Sequence, residues 1–230
     1  MSCIPNISDL GRLPYEEALS LQRKTHQTVV DGRNSPIHSP VHLLLLEHDP
    51  AVITMSKRPT AGKHLLATPD QLKSAGVEIC RTDRGGDITY HGPGQLVGYP
   101  ICDLNVLSLR IHGYMRFLEQ CIIDVLAEFN ITAARDACAT GVWVEGSKIC
   151  AMGVRVSKWV SMHGFALNVT TNLDHFDLIV PCGLAGRSVT SMQQILGEAC
   201  PPIESVKGVV SEIFAEAIAT QAQVQREPRQ

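Results

Sequence analysis

Residues 141–169 read GVWVEGSKICAMGVRVSKWVSMHGFALNV, and the fold class turns on this stretch. Gly141 to Val144 and Lys148 to Val156 are short apolar runs, and Glu145-Gly146-Ser147 between them is a hairpin signal. Val160 to Val169 adds a third run, which predicts a three-strand meander. Working outward, residues from about Ser108 to Asn130 place Ile111, Met115, Leu118, Ile122, Val125, Leu126 and Phe129 on one broad helical face. On the other side, Val206, Val209, Val210, Ile213, Phe214 and Ala217 predict a last helix from about Glu204 to Ala219. Near the start, Pro14 opens a helix running toward Val30. Strands are predicted at Val41 to Glu47, Ala51 to Met55, Val77 to Thr82 and Leu96 to Leu104. Asp31 to Pro40 and the basic stretch Lys57 to Leu66 are predicted loops. Thr68-Pro69-Asp70 opens a short helix ending near Gly76. Hairpins interrupted by helices, without regular β-α-β alternation, indicate an α+β fold, a mixed β-sheet flanked by helices. Residues 1–220 are expected to form one domain and 221–230 a polar tail that frays.

The 230 residues carry a net charge of −3 and are 44% hydrophobic. A chain of this size buries an adequate core without metals or disulfides. The mixed charge argues against a nucleic-acid binder, which concentrates basic residues on one face. The eight cysteines (Cys3, Cys80, Cys102, Cys121, Cys138, Cys150, Cys182, Cys200) never form C-x-x-C, so no zinc or other metal site is expected. No stretch reaches the roughly 20 apolar residues that span a bilayer. The N-terminus shows no basic-then-apolar leader, and Asp9, Glu16 and Glu17 suit a transit peptide poorly. Reduced thiols in a cytoplasmic protein, with no membrane or nucleic-acid partner, are the expectation.

Arg84-Gly85-Gly86-Asp87-Ile88-Thr89-Tyr90-His91-Gly92-Pro93-Gly94-Gln95 is the most unusual segment. Its glycines let backbone approach a ligand closely; Arg84 suits a carboxylate or phosphate, and His91 titrates near neutrality. It is neither a dinucleotide fingerprint nor a P-loop. Composition alone is equally consistent with a pair of tight turns between strands.

The run RGGDITYHGPGQLVGYP, followed in order by KICAMGVRV, HGFALNV and PCG, resembles the lipoyl(octanoyl) transferase family from about residue 40 to residue 192. That resemblance implies the fold of lipoate and biotin protein ligases. It also implies transfer of an octanoyl group from octanoyl-acyl carrier protein, through a cysteine thioester, to a lysine of a lipoyl domain or glycine-cleavage H protein. No cofactor is required, because the thioester carries the driving energy. It assigns the thioester to Cys182 and its activation to Lys148. Arg84, Gly85, Gly86, Asp87, Ile88, Thr89, Tyr90 and His91, with Ala151, Met152, Gly153, Gly164, Phe165 and Ala166, are expected to wall the acyl tunnel; Asp87 has no separate role.

The chemistry of these residue types agrees. A free thiol has a pKa near 8.5, and a neighbouring ammonium stabilises the thiolate. The same amine, once deprotonated, can act as base for an incoming lysine. Cys182 sits in Ile179-Val180-Pro181-Cys182-Gly183, where a glycine N–H can serve an oxyanion. A buried inert thiol and a solvated lysine are the ordinary fates of such residues, and a satisfied core histidine is that of His163. Lys57, Arg58, Lys63, Arg155 and Lys158 are candidates for steering acidic protein partners. Two other functions fit the scaffold: an ATP-dependent lipoate or biotin ligase, although the GRGRxG run of biotin ligases is absent, and a non-catalytic acyl- or lipoyl-domain-binding module.

Overall fold

The computed structural model describes residues 4–35, 39–180 and 187–223. Among the described residues, ten strands and six α-helices alternate irregularly: β1 (Asn6–Leu13), α1 (Tyr15–Asp31), β2 (Val41–His48), β3 (Ala51–Met55), α2 (Pro69–Ala75), β4 (Val77–Arg81), β5 (Ile88–His91), β6 (Gln95–Cys102), α3 (Leu104–Leu107), α4 (Ile111–Glu128), β7 (Ala134–Arg135), β8 (Val142–Val144), β9 (Ser147–Ser157), β10 (Val160–Asn168), α5 (Met192–Leu196) and α6 (Ile203–Gln223). Seven strands form one mixed sheet in the order β1-β2-β6-β10-β9-β8-β7, and β4-β3-β5 form a second.

The meander folds as expected, with Glu145 and Gly146 both at positive φ in the turn between β8 and β9, the geometry that two-residue hairpin loops demand. The α2 reading also holds. Thr68 Oγ1 accepts from Gln71 N–H, Gln71 Oε1 accepts from Thr68 N–H, and Gly76 closes the helix in the left-handed conformation, a complete capping box. Strand alternation on β6 divides the core in two. Leu96 and Cys102 face α4 and α6, packed with Leu43, Leu118, Ile122, Val210 and Phe214. Val97, Tyr99 and Ile101 face Ala18 and Val29 of α1.

Several boundaries differ. β6 ends at Cys102, because Asp103 Oδ1 accepts from Asn105 N–H and caps α3. Ser108 then takes φ +48, so the long helix starts at Ile111. The strand β1 has no counterpart in the sequence reading; it pairs parallel to β2 at the sheet edge, and Lys207 of α6 clamps its Asp9 at 3.1 Å. The glycine-dense run contains β5, and the basic loop contains a 3₁₀ turn, Ala61–His64. The last helix passes residue 221 and is described as far as Gln223; the rest of the expected tail lies outside the described residues.

Candidate active site

The two sheets face each other across a cleft, and period-two alternation on β5 decides which residues reach it. Thr89 and His91 line a narrow inner chamber of about 30 Å³ together with Arg84 and Gly86. Ile88 and Tyr90 point the other way, into the core of the small sheet beside Phe176 and Ile179. Those two therefore drop out of the expected tunnel wall. Asp87 also turns away, with Oδ2 at 2.7 Å from His64 Nδ1. The opposite wall is formed by Ala151, Met152 and Gly153 of β9 and Gly164, Phe165 and Ala166 of β10.

An outer chamber of about 420 Å³ adjoins it, with Lys148, Arg58, Gly85 and Cys138 on its wall. Gly86, Met152 and Gly153 border both chambers and so form the neck. Here backbone meets backbone: Gly85 N–H donates to Val154 O at 3.0 Å, and a Cβ on Gly153 would stand 2.6 Å from Gly85 O.

Arg84 is committed to building this loop. Its guanidinium donates to Thr54 O at 2.6 Å, to Thr54 Oγ1 and to Gly85 O at 3.0 Å. That fork locks β3 to the glycine-dense run, while Arg84 also lines the inner chamber. Gly94, at φ +80, docks where a Cβ would strike Thr170 at 2.7 Å; its N–H donates to Glu47 Oε2 at 2.7 Å.

Lys148 lies on β9 with only 7% of its surface exposed, and its Nζ sits 4.8 Å from the Trp143 ring centroid. Arg187 covers the same ring at 4.2 Å. The Lys148 backbone pairs with residues 188–190: its N–H donates to Ser188 O and its C=O accepts from Thr190 N–H, both at 2.9 Å. Pro181, Cys182 and Gly183 lie outside the described residues. The chain leading to them is fixed by Val180 N–H donating to His64 O at 2.8 Å.

Sequence reasoning missed the polar groups around the inner chamber. Tyr15 and Tyr99 line it. His48 Nδ1–H donates to Leu13 O at 3.1 Å, so its Nε2 accepts from Tyr99 O–H at 2.7 Å. Burial lowers the His48 pKa to about 4 and, with the charges of His48 and Arg84, holds His91 well below its usual range. A chain of hydrogen bonds leaves His91: Nδ1–H to Gln95 Oε1 at 2.8 Å, Gln95 Nε2 to Asn168 Oδ1 at 2.9 Å, Asn168 Nδ2 to Thr190 O at 2.9 Å. Thr190 in turn donates to Lys148 O. The inner chamber and Lys148 thus share one polar scaffold. Single residues scattered over six elements give no spacing signal, which is why only GPGQ and HGFALN hinted at it.

Residues 14–215 match the family described as the lipoyl protein ligase A/B catalytic domain. The chain is 46% identical over 215 residues to the octanoyltransferase of Gloeobacter violaceus, covering 93% of this chain and 90% of that one. It is 49% identical over 186 residues to the octanoyltransferase of Solibacter usitatus, covering 81% of each. The chain belongs to the octanoyltransferase family. The chain shares its fold with a lipoate-protein ligase A bound with ATP (TM-score 0.70, 14% identity, 97% of this chain and 94% of that one). It also resembles a biotin protein ligase from Aquifex aeolicus in complex with biotin and ATP (TM-score 0.56, 13% identity, 95% and 72%). Both likenesses bear out the fold expected from the motifs. Among the described residues of the octanoyltransferase, no helix is long and apolar enough to cross a membrane. None of its described His, Cys, Asp and Glu side chains cluster in threes to hold a metal.

Proposed function

We propose that this octanoyltransferase works through an acyl thioester on Cys182, with Lys148 beside it as the proton-transfer group. The observation that carries this reading is the placement of Lys148. A nearly buried amine borders the outer chamber, and its backbone is bonded to Ser188, six residues after Cys182. Six residues span at most about 20 Å, a reach that allows the thiol to approach the cleft. Burial raises the pKa of Cys150, and that of Cys121 to about 12, so both are poor nucleophiles.

The donor is octanoyl-acyl carrier protein. The Cys182 thiolate attacks the thioester carbonyl, a new C–S bond forms, and the carrier thiolate departs and takes a proton. The acyl chain threads the neck between Gly86 and Gly153 into the inner chamber. A lysine amine of a lipoyl domain, from a 2-oxoacid dehydrogenase or the glycine-cleavage H protein, then attacks the same carbonyl. Lys148 accepts the amine's proton as Cys182 leaves. Lys57 and Arg58 flank the approach beside Arg84 and Asp83, where they favour acidic partners. Arg155 contributes less to such steering, since it is paired with Asp83 at 2.9 Å. No separate cofactor enters the reaction, and a cytoplasmic site of action suits its protein partners.

Intact mass after mixing with octanoyl-acyl carrier protein, without ATP, tests the reading. The expected result is one octanoyl adduct, absent from Cys182→Ser, retained in Cys138→Ser and discharged by a lipoyl domain. An adduct that depends on Cys138, or an activity that requires ATP and survives Cys182→Ser, would overturn it. A second test measures alkylation of Cys182 against pH. Lys148→Ala should move the profile to higher pH, and an unchanged profile removes Lys148 from its role.

A further inference from the structure

His163 borders the inner chamber, not the outer one, and its surroundings are unusual for a core histidine. It is 2% exposed, yet it holds φ +59 in the middle of β10, a conformation that L-residues adopt at a cost. Gln22 Oε1 accepts its backbone N–H at 2.9 Å, and Asp83 Oδ1 lies 3.0 Å from its Nε2. A carboxylate only accepts hydrogen bonds, so Nε2 carries the proton and Nδ1 presents a bare lone pair. Among the described residues, that Nδ1 is buried without a hydrogen-bond partner. Arg155, 2.9 Å from Asp83, holds the carboxylate in place.

Burial lowers the His163 pKa more than Asp83 raises it, which keeps the ring neutral. On the wall that β9 and β10 give the chamber, the other side chains are apolar, Ala151, Met152, Phe165 and Ala166. These suit methylenes. Nδ1 does not: it needs a donor, and the chamber can supply one only as water or as a polar group of the ligand.

We propose that His163, oriented by Asp83, determines the length of acyl chain the enzyme accepts, by setting a polar end to the otherwise apolar wall that β9 and β10 give the chamber. The inference rests on the reading that the reacting thioester lies at the Lys148 end, so that the far end of the chain passes the neck and approaches His163. A chain that stops short leaves Nδ1 hydrated. A longer one displaces that water with methylenes and leaves a buried acceptor unpaired, a cost that corresponds to about a tenfold or greater loss of kcat/KM. Leucine at 163 fills a similar volume without the acceptor and removes that loss.

The test compares kcat/KM for octanoyl-, decanoyl- and dodecanoyl-acyl carrier protein in wild type and His163→Leu, with Cys182 thioester formation from octanoyl donor followed by mass. The decanoyl-to-octanoyl ratio should rise about tenfold or more in the variant, while the octanoyl adduct still forms. His163→Gly takes φ +59 without strain and serves if the leucine variant does not fold; the same rise is expected. An unchanged ratio in a folded variant that still forms the adduct overturns the assignment to His163. Failure of wild type to form a thioester on Cys182 overturns the reaction on which the inference rests.

Discussion

Gly153→Ala perturbs the neck between the two chambers at its tightest point. The new methyl would stand 2.6 Å from Gly85 O, against the 3.4 Å at which ordinary contact begins. Because the obstacle is backbone, it cannot rotate aside, and the Gly85 loop must retreat by about 0.8 Å. That retreat stretches the 3.0 Å bond from Gly85 N–H to Val154 O past useful range. Overpacking costs about 1–3 kcal/mol and the lost hydrogen bond about 1 kcal/mol. The variant should therefore lose roughly 2–4 kcal/mol, a fall in Tm of about 5–15 °C for a chain of this size. Displaced Gly85 and Gly86 also misplace the acyl path, so kcat/KM should fall about 10- to 100-fold. Differential scanning calorimetry and the acyl-transfer assay read the two effects. Gly62→Ala, where a Cβ meets nothing within 4 Å, is the matched control and should melt with wild type. A Gly153→Ala protein melting within 2 °C of wild type, roughly the shift expected from 1 kcal/mol or less, would refute the tight contact and the neck built on it.

Acid should destabilise the fold earlier than carboxylate titration alone would. The His48 pKa is about 4 when folded against 6.5 as a model value. The unfolded chain therefore takes up a proton below pH 6.5 that the native state refuses until about pH 4, and stability falls as pH drops through that window. This group alone costs about 2 kcal/mol between pH 7.5 and 5; urea unfolding should show it, and His48→Gln should flatten the slope. Gly208 lies within α6 with open space around its Cβ position, so Gly208→Ala should raise stability by about 0.5–1 kcal/mol; a lower Tm would contradict that. Thr68→Ala removes the capping box of α2 and should cost about 1 kcal/mol, read as a shifted denaturant midpoint at constant slope.

The elements that could be read from the sequence are those whose information is local. Thr68, Gln71 and Gly76 announce both ends of α2, and Glu145-Gly146 announces a hairpin, because capping and turn chemistry act within a few residues. β1 was missed because its run Asn6–Leu13 is largely exposed at a sheet edge and shows no apolar alternation. The division into two sheets was likewise invisible: β2 and β3 are separated by two residues, yet they join different sheets. At the site, composition marked the glycine run as unusual, and resemblance alone singled out Lys148. Alternation on β5 was available to separate Thr89 and His91 from Ile88 and Tyr90. Tyr15, His48, Tyr99 and Gln95 come together only through tertiary folding, so no spacing could reveal them.

The stacking of Lys148 and Arg187 against Trp143 has an optical consequence. The chain has two tryptophans; Trp143 is 4% exposed, whereas Trp159 is 49% exposed. Trp159→Phe would leave a single fluorophore, flanked by the amine beside the outer chamber and by the first arginine after residues 181–186. Its emission would then follow charge and hydration at that position as an acyl group is loaded and discharged, without any label.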